Sequence, residues 1–194
     1  MHVSAHAQTV ERTVDEYTSI ELIGAADVHV TVGDDYYLKI EGPKDRLENL
    51  TTVVEDGTLT ISEDSTGLFT TGSIEIWITM PAISAFTLSG AGDVVIEGVA
   101  GESFELTVRG AGDVEVSGEV DTATISVSGA GDVDAKDLIA KDATVTVRGA
   151  GDVDVYASES LTATVQGFGD VTYFGDPATV TPEVKGMGDI SAGK

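Results

Sequence analysis

The chain has 194 residues, 41% of them hydrophobic, which is enough apolar surface for one sizeable folded domain and too much for a disordered polymer. Its 34 acidic residues against 10 basic ones leave a formal charge of -24, spread along the sequence, so phosphate backbones and anionic membranes are repelled and nucleic acid is excluded as a partner. The absence of cysteine excludes a disulfide framework, a thiolate metal site and a cysteine nucleophile, and no apolar run approaches the roughly 18 residues of a membrane span.

At the start stands Ala5-His6-Ala7, the A-x-A pattern that precedes a signal-peptidase cut, followed by the polar Gln8. Residues 1–7 are therefore read as a signal-peptide remnant or tag outside the fold, and the protein as extracytoplasmic. Residues 8–85 carry β character without a regular repeat and read as the irregular N-terminal part of the same domain, either its ragged beginning or a cap over its end. Within them, "GPKDRLENL" (Gly42 to Leu50) reads as a short helix or turn, and "VVEDGTLTI" places Asp56-Gly57 between two strand-like runs, a hairpin signal. "SIEIWITM" (Ser73 to Met80) alternates, with Ile74, Ile76, Ile78 and Met80 on one face and Glu75, Trp77 and Thr79 on the other. Trp77 on a polar face is a candidate platform for a sugar ring, and Tyr36, Tyr37, Tyr156 and Tyr173 are candidates for a similar surface; the alternative is packing beneath a loop.

From residue 86 onward a corner recurs: Gly90-Ala91-Gly92-Asp93, Gly110-Ala111-Gly112-Asp113, Gly129-Ala130-Gly131-Asp132, Gly149-Ala150-Gly151-Asp152, Gly167-Phe168-Gly169-Asp170 and Gly186-Met187-Gly188-Asp189. The aspartates are 20, 19, 20, 18 and 19 positions apart, and "GAADVHVTV" (Gly24 to Val32) is a degenerate earlier copy around Asp27. Before each corner apolar residues alternate with Thr or Ser, and each Asp is followed by Val or Ile, the period-two mark of half-buried strands. Strand, tight corner, strand and a return of variable length make one coil of about 19 residues, and stacked coils bury the apolar columns. The predicted fold is all-β, a right-handed parallel β-helix (solenoid) with its regular part at 86–194. Glycine is required at the corners because a sharp bend uses backbone angles that side chains forbid and because neighbouring coils bring backbone against backbone.

In register, Asp93, Asp113, Asp132, Asp152, Asp170 and Asp189 stand about 4.8 Å apart, where neighbouring unit charges repel by roughly 0.9 kcal/mol in water. Three sources of compensation are available. Each carboxylate can accept corner N–H groups in an Asx-type turn. Cations precede three of the six corners, Arg109, Arg148 and Lys185, and can pair with aspartates of the same or the adjacent coil. The column is also a candidate calcium site, since carboxylates and corner carbonyls are hard oxygen ligands. The spacer changes from Ala in four coils to Phe168 and Met187, an apolar spot that suggests a docking site or a C-terminal cap.

The repeated "SGAGDV" and "RGAGDV" units, following "IEIWITMPAISAFTLSG" and "IELIGAADVHVTVG", resemble the family described as putative auto-transporter adhesin, head GIN domain. The resemblance runs from about Tyr17 to Ile190 and implies a β-helical extracytoplasmic bacterial protein with a role in adhesion, without established catalytic residues. The reading that results is a non-enzymatic binding module contacting a glycan or cell-surface protein through its β faces, with Trp77, Arg109, Arg148, Phe168 and Met187 as candidate contacts. Alternatives are a structural or calcium-stabilised envelope scaffold and, third, a polysaccharide-degrading β-helix enzyme. Against the last, six equivalent aspartates are unlike the unique constellation of an active site, His2 and His6 precede the fold, and His29 lacks an identifiable partner. No cofactor other than calcium is implied, and self-association into a homo-oligomer stays open.

Overall fold

The structure is a computed structural model that describes residues 7–63 and 72–194; the pattern at Ala5 and His6, and His2, lie outside the described residues. In chain order the elements are β1 (Ala7–Arg12), β2 (Ser19–Ala25), β3 (Asp27–Val32), β4 (Tyr37–Pro43), α1 (Lys44–Glu48), β5 (Leu50–Glu55), β6 (Thr58–Glu63), β7 (Glu75–Met80) and β8 (Ala85–Ala91). They continue as β9 (Val94–Ala111), β10 (Val114–Gly129), β11 (Val133–Gly149), β12 (Val153–Tyr156), β13 (Ser160–Gly167), β14 (Val171–Phe174), β15 (Thr179–Val184) and β16 (Ile190–Ala192). Stacked parallel coils form a β-solenoid, and β9, β10 and β11 each run continuously from one corner around the return to the next.

Register is set by the corner. Thr122–Gly129 of β10 lies between Ser103–Gly110 of β9 and Asp142–Gly149 of β11, so Val127 stands between Val108 and Val147, and Gly129 between Gly110 and Gly149. On the second side of the coil Val114 pairs with Val94 and Val133, and on the return Gly118 pairs with Val99 and Leu138. Because the side-chain period is two, this register sends one whole set of residues inward. Leu88, Val108, Val127, Val147 and Val165 form one fully buried column; Phe86, Leu106, Ile125, Val145 and Ala163 form a second; Val94, Val114, Val133, Val153 and Val171 form a third across the corner. Each such side chain contributes roughly 1.5–3 kcal/mol by leaving water, and the sum over the columns drives the stack.

The N-terminal part contains coils of its own, threaded out of chain order. Coil β2–β3 is sandwiched between β6–β7 on one side and β8 with the start of β9 on the other. Its corner is the degenerate copy, with Gly24 paired to Gly90 and Ala25 to Ala91. Beyond β6–β7 the pairing turns antiparallel: β5 on β6, β4 on β7, and β1 on β4, the last beginning with Ala7 opposite Pro43. The β5–β6 hairpin turns at Asp56 (φ 48°) and Gly57 (φ 76°), both left-handed as a two-residue type I′ turn demands. Ile74, Ile76, Ile78 and Met80 are all buried, as their alternation predicts.

Arg46 in α1 fastens this end. Only 7% exposed, its guanidinium donates from Nε to Glu63 Oε1 (2.7 Å) and from Nη2 to Glu63 Oε2, while Nη1 reaches the Gly72 carbonyl (2.7 Å). Nη2 also donates to the Ala25 carbonyl (2.8 Å), so the corner at the start of the solenoid gains a donor from a side chain. Hydrogen bonding to Glu63 raises the Arg46 pKa against the opposing effect of burial.

The glycine corner and its carboxylate file

At each corner the chain leaves one inward column and enters another within four residues. In the first five regular corners, Gly90 to Gly167, the first glycine has a positive φ, 142° at Gly129, where a side chain is strained. Sterics decide more: a Cβ on Gly129 would stand 2.1 Å from the Gly110 carbonyl oxygen, and one on Gly131 would stand 2.3 Å from that of Gly112. Both glycine columns are therefore obligatory, since the atom each Cβ would strike is backbone. The spacer between them points outward. Its N–H bonds to the first glycine of the preceding coil, as in Ala130 N to Gly110 O at 2.9 Å and Ala150 N to Gly129 O at 2.8 Å.

The aspartates stand in file on the outside of the corner, each exposed. Their acceptor role is inter-coil. Oδ1 of Asp27 and of four members of the file receives the backbone N–H of the aspartate in the following coil: Asp27 from Asp93 (3.1 Å), Asp113 from Asp132 (3.3 Å), Asp132 from Asp152 (2.9 Å), Asp152 from Asp170 (2.8 Å) and Asp170 from Asp189 (2.7 Å). The Asp carbonyl meanwhile accepts the N–H of the residue after the preceding coil's Asp, as in Val133 N to Asp152 O at 2.9 Å. The turn acts as a rivet between layers, whereas an Asx turn would close within one corner. A carboxylate that accepts a backbone N–H makes a charge-assisted bond worth about 1.5–3 kcal/mol, which outweighs the roughly 0.9 kcal/mol repulsion from each neighbour.

The cations take no part. Among the described residues no ion pair joins Arg109 or Arg148 to an aspartate of the file, and Lys185 pairs with Glu183 at 2.7 Å. The reason is placement: Arg109 and Arg148 precede the corner and extend from the first side of the coil, the aspartates from the second. Nor do the described residues hold a group of three or more carboxylates or histidines gathered to bind one metal ion. Beside the file runs a second outward row, Val95, Glu115, Asp134, Asp154 and Thr172, which with the aspartates lines shallow acidic depressions of about 280 and 350 Å³.

The aromatic candidates are dispersed. Trp77 lies between Lys39 of β4 and His29 of β3. The Lys39 ammonium sits 3.7 Å from the centre of the indole, and the His29 ring stacks at 6.0 Å and 19°. The half-exposed indole thus stands between a cation–π contact on one side and a stacked imidazole on the other. Tyr36 packs on Tyr17 (5.2 Å) and Tyr37 Oη donates to Glu11 (2.9 Å), both toward the N-terminal end, whereas Tyr156 and Tyr173 belong to β12 and β14. Phe168 and Met187 occupy the outward spacer position of consecutive corners and are 66% and 78% exposed.

The sequence of residues 16–177 matches the family model described as "Putative auto-transporter adhesin, head GIN domain". No curated protein matches the chain. Among solved structures it is similar to a "putative adhesin" from Bacteroides fragilis, at 25% identity and a TM-score of 0.80, with 97% of this chain and 98% of that one covered. It shares its fold with a "putative adhesin" from Parabacteroides merdae (15% identity, TM-score 0.57, 97% and 96% covered) and a "Putative lipid binding protein" from Parabacteroides distasonis (22% identity, TM-score 0.52, 97% of each covered).

Proposed function

The chain belongs to the family described as "Putative auto-transporter adhesin, head GIN domain", and from that premise we propose that it is a non-enzymatic binding module of the cell surface or extracellular space, which holds a protein or glycan partner against its outer faces. The observation that carries this reading is the geometry of those faces. Outward side chains repeat at the coil spacing over the whole stack, as in the row Lys39, Trp77, His29, Val95, Glu115, Asp134 and Asp154, which presents a long flat surface to an extended partner. The similarity to a "putative adhesin" of Bacteroides fragilis over nearly the full length of both chains supports the same role. The corner aspartates support a non-catalytic role for themselves, because they repeat along the stack and Asp113, Asp132, Asp152 and Asp170 each spend an oxygen on the next aspartate's N–H.

The test is direct. The full chain, immobilised, is probed with a glycan array and with envelope extract, and the native protein is located by cell fractionation. Saturable binding together with an envelope or extracellular location supports the proposal; a cytosolic location with no ligand on either surface removes it.

A further inference from the structure

The first four regular corners, at Ala91, Ala111, Ala130 and Ala150, show that the fold asks only for alanine at the spacer. The last two carry Phe168 and Met187 instead, largely exposed and one coil apart, with their N–H groups fixed at 2.8 Å to the Gly149 and Gly167 carbonyls. At the coil spacing of about 4.8 Å two large apolar side chains emerge side by side from a rigid ridge. Nothing in the stacking uses them, since the glycines on either side already close the corner. Along one flank of the ridge stand Asp152, Asp170 and Asp189, none of them ion-paired among the described residues; of the cations that precede these corners, Lys185 pairs with Glu183, and Arg148 extends from the other side of the bend without an ion pair among the described residues.

We propose that these two corners are the docking point for a basic polypeptide segment of the partner, which seats an apolar side chain on Phe168 and Met187 and sets its lysines or arginines against Asp152, Asp170 and Asp189. The proposal rests on the reading of the chain as a binding module and names the chemistry of its partner. Charge complementarity selects the occupant. A second copy of this chain brings its own charge of -24 and is repelled, and an anionic lipid surface is repelled likewise, whereas a basic segment is drawn in by the same field. Methionine beside an aromatic ring favours a polypeptide, because its flexible thioether adapts to apolar side chains of varied shape.

The experiment uses the full chain and its Phe168→Ala/Met187→Ala variant, which installs the residue the other corners already carry. Three labelled synthetic peptides serve as probes in fluorescence anisotropy at low salt: one alternating Lys with Leu, one Lys with Ser, one Glu with Leu. The Lys/Leu peptide is expected to bind wild type and to lose at least tenfold in affinity to the variant, about 1.4 kcal/mol. The Lys/Ser peptide is expected to bind both proteins weakly and equally, and the Glu/Leu peptide neither. No binding of the Lys/Leu peptide to wild type, or binding unchanged in a variant whose thermal transition matches wild type, overturns the proposal. Envelope binding by wild type that the double variant retains in full also overturns it while leaving the binding-module reading intact, which falls only if wild type finds no ligand in the array or the extract.

Discussion

Replacing Asp132 by asparagine and, separately, by alanine distinguishes a hydrogen-bonded file of carboxylates from a column that depends on charge. Asp132 accepts the Asp152 N–H at 2.9 Å and stands between Asp113 and Asp152. With neighbours about 4.8 Å away on either side, removing its charge relieves about 1.7 kcal/mol in water, less in salt. Asparagine keeps a carbonyl oxygen in the acceptor position, so a charge-assisted bond becomes a neutral one at a loss of about 1 kcal/mol. The two changes nearly cancel, and Asp132→Asn is expected to equal wild type or exceed it by up to about 1 kcal/mol at low ionic strength. Alanine brings the same relief but forfeits the whole bond, leaving it about 1 kcal/mol below asparagine, or roughly 2–4 °C in Tm for a chain of this size. Thermal unfolding followed by circular dichroism in low salt, then in 1 M NaCl where the screening length falls to about 3 Å, reads both effects; added salt should erase the advantage of asparagine over wild type. An asparagine variant as unstable as the alanine one refutes the reasoning, because charge, and with it a bound cation, would then be what the file requires.

Gly129→Ala forces a side chain into a φ of 142° and against the Gly110 carbonyl, and is expected to cost more than about 3 kcal/mol, whereas Ala130→Ser on the outward spacer changes stability by less than about 0.5 kcal/mol; urea unfolding of both variants checks this. Arg46→Met leaves Glu63 unpaired and should destabilise by about 3–5 kcal/mol, and adding Glu63→Leu should restore most of that, a double-mutant cycle measurable by calorimetry. The Tyr17 hydroxyl is buried without a hydrogen-bond partner among the described residues, and burial together with Tyr36 raises its pKa, so Tyr17→Phe should raise stability by about 1 kcal/mol in the same assay.

Much of this architecture was legible because the corner is a local device whose repetition reports a global one. Two glycines and an aspartate at intervals of 18 to 20 residues suffice to set the register, and the inward columns follow from alternation alone. The same holds for the Asp56-Gly57 turn, whose residues tolerate the left-handed region, and for the short helix at Lys44–Glu48. The order of the N-terminal coils was not legible: parallel neighbours share the same alternation, and nothing in β6 or β8 says that they will flank β2 on opposite sides. The cap of Arg46 on Glu63 and Ala25 joins segments far apart in sequence and carries no periodic signal.

At the site itself, residue type and spacing located the carboxylates but left their partners undecided. An aspartate beside glycine reads as a closed local turn, yet stacking brings the N–H of the next coil within reach of Oδ1. The arginines before the corner, at the distance of four residues, looked like natural counter-ions; the bend carries them onto another side of the coil. Trp77 on a polar face read as a sugar platform, and only pairing reveals the cross-strand neighbours Lys39 and His29 that flank its ring.

Residue-resolved amide hydrogen exchange by NMR tests the inter-coil rivet most directly. Although Asp152 is an exposed residue at a turn, its N–H is expected to exchange slowly in wild type, to remain slow in Asp132→Asn, and to exchange at least tenfold faster in Asp132→Ala, a change of about 1.4 kcal/mol in local protection. An Asp152 amide that exchanges like an unstructured peptide in wild type, or that keeps its protection when Asp132 becomes alanine, would contradict the account.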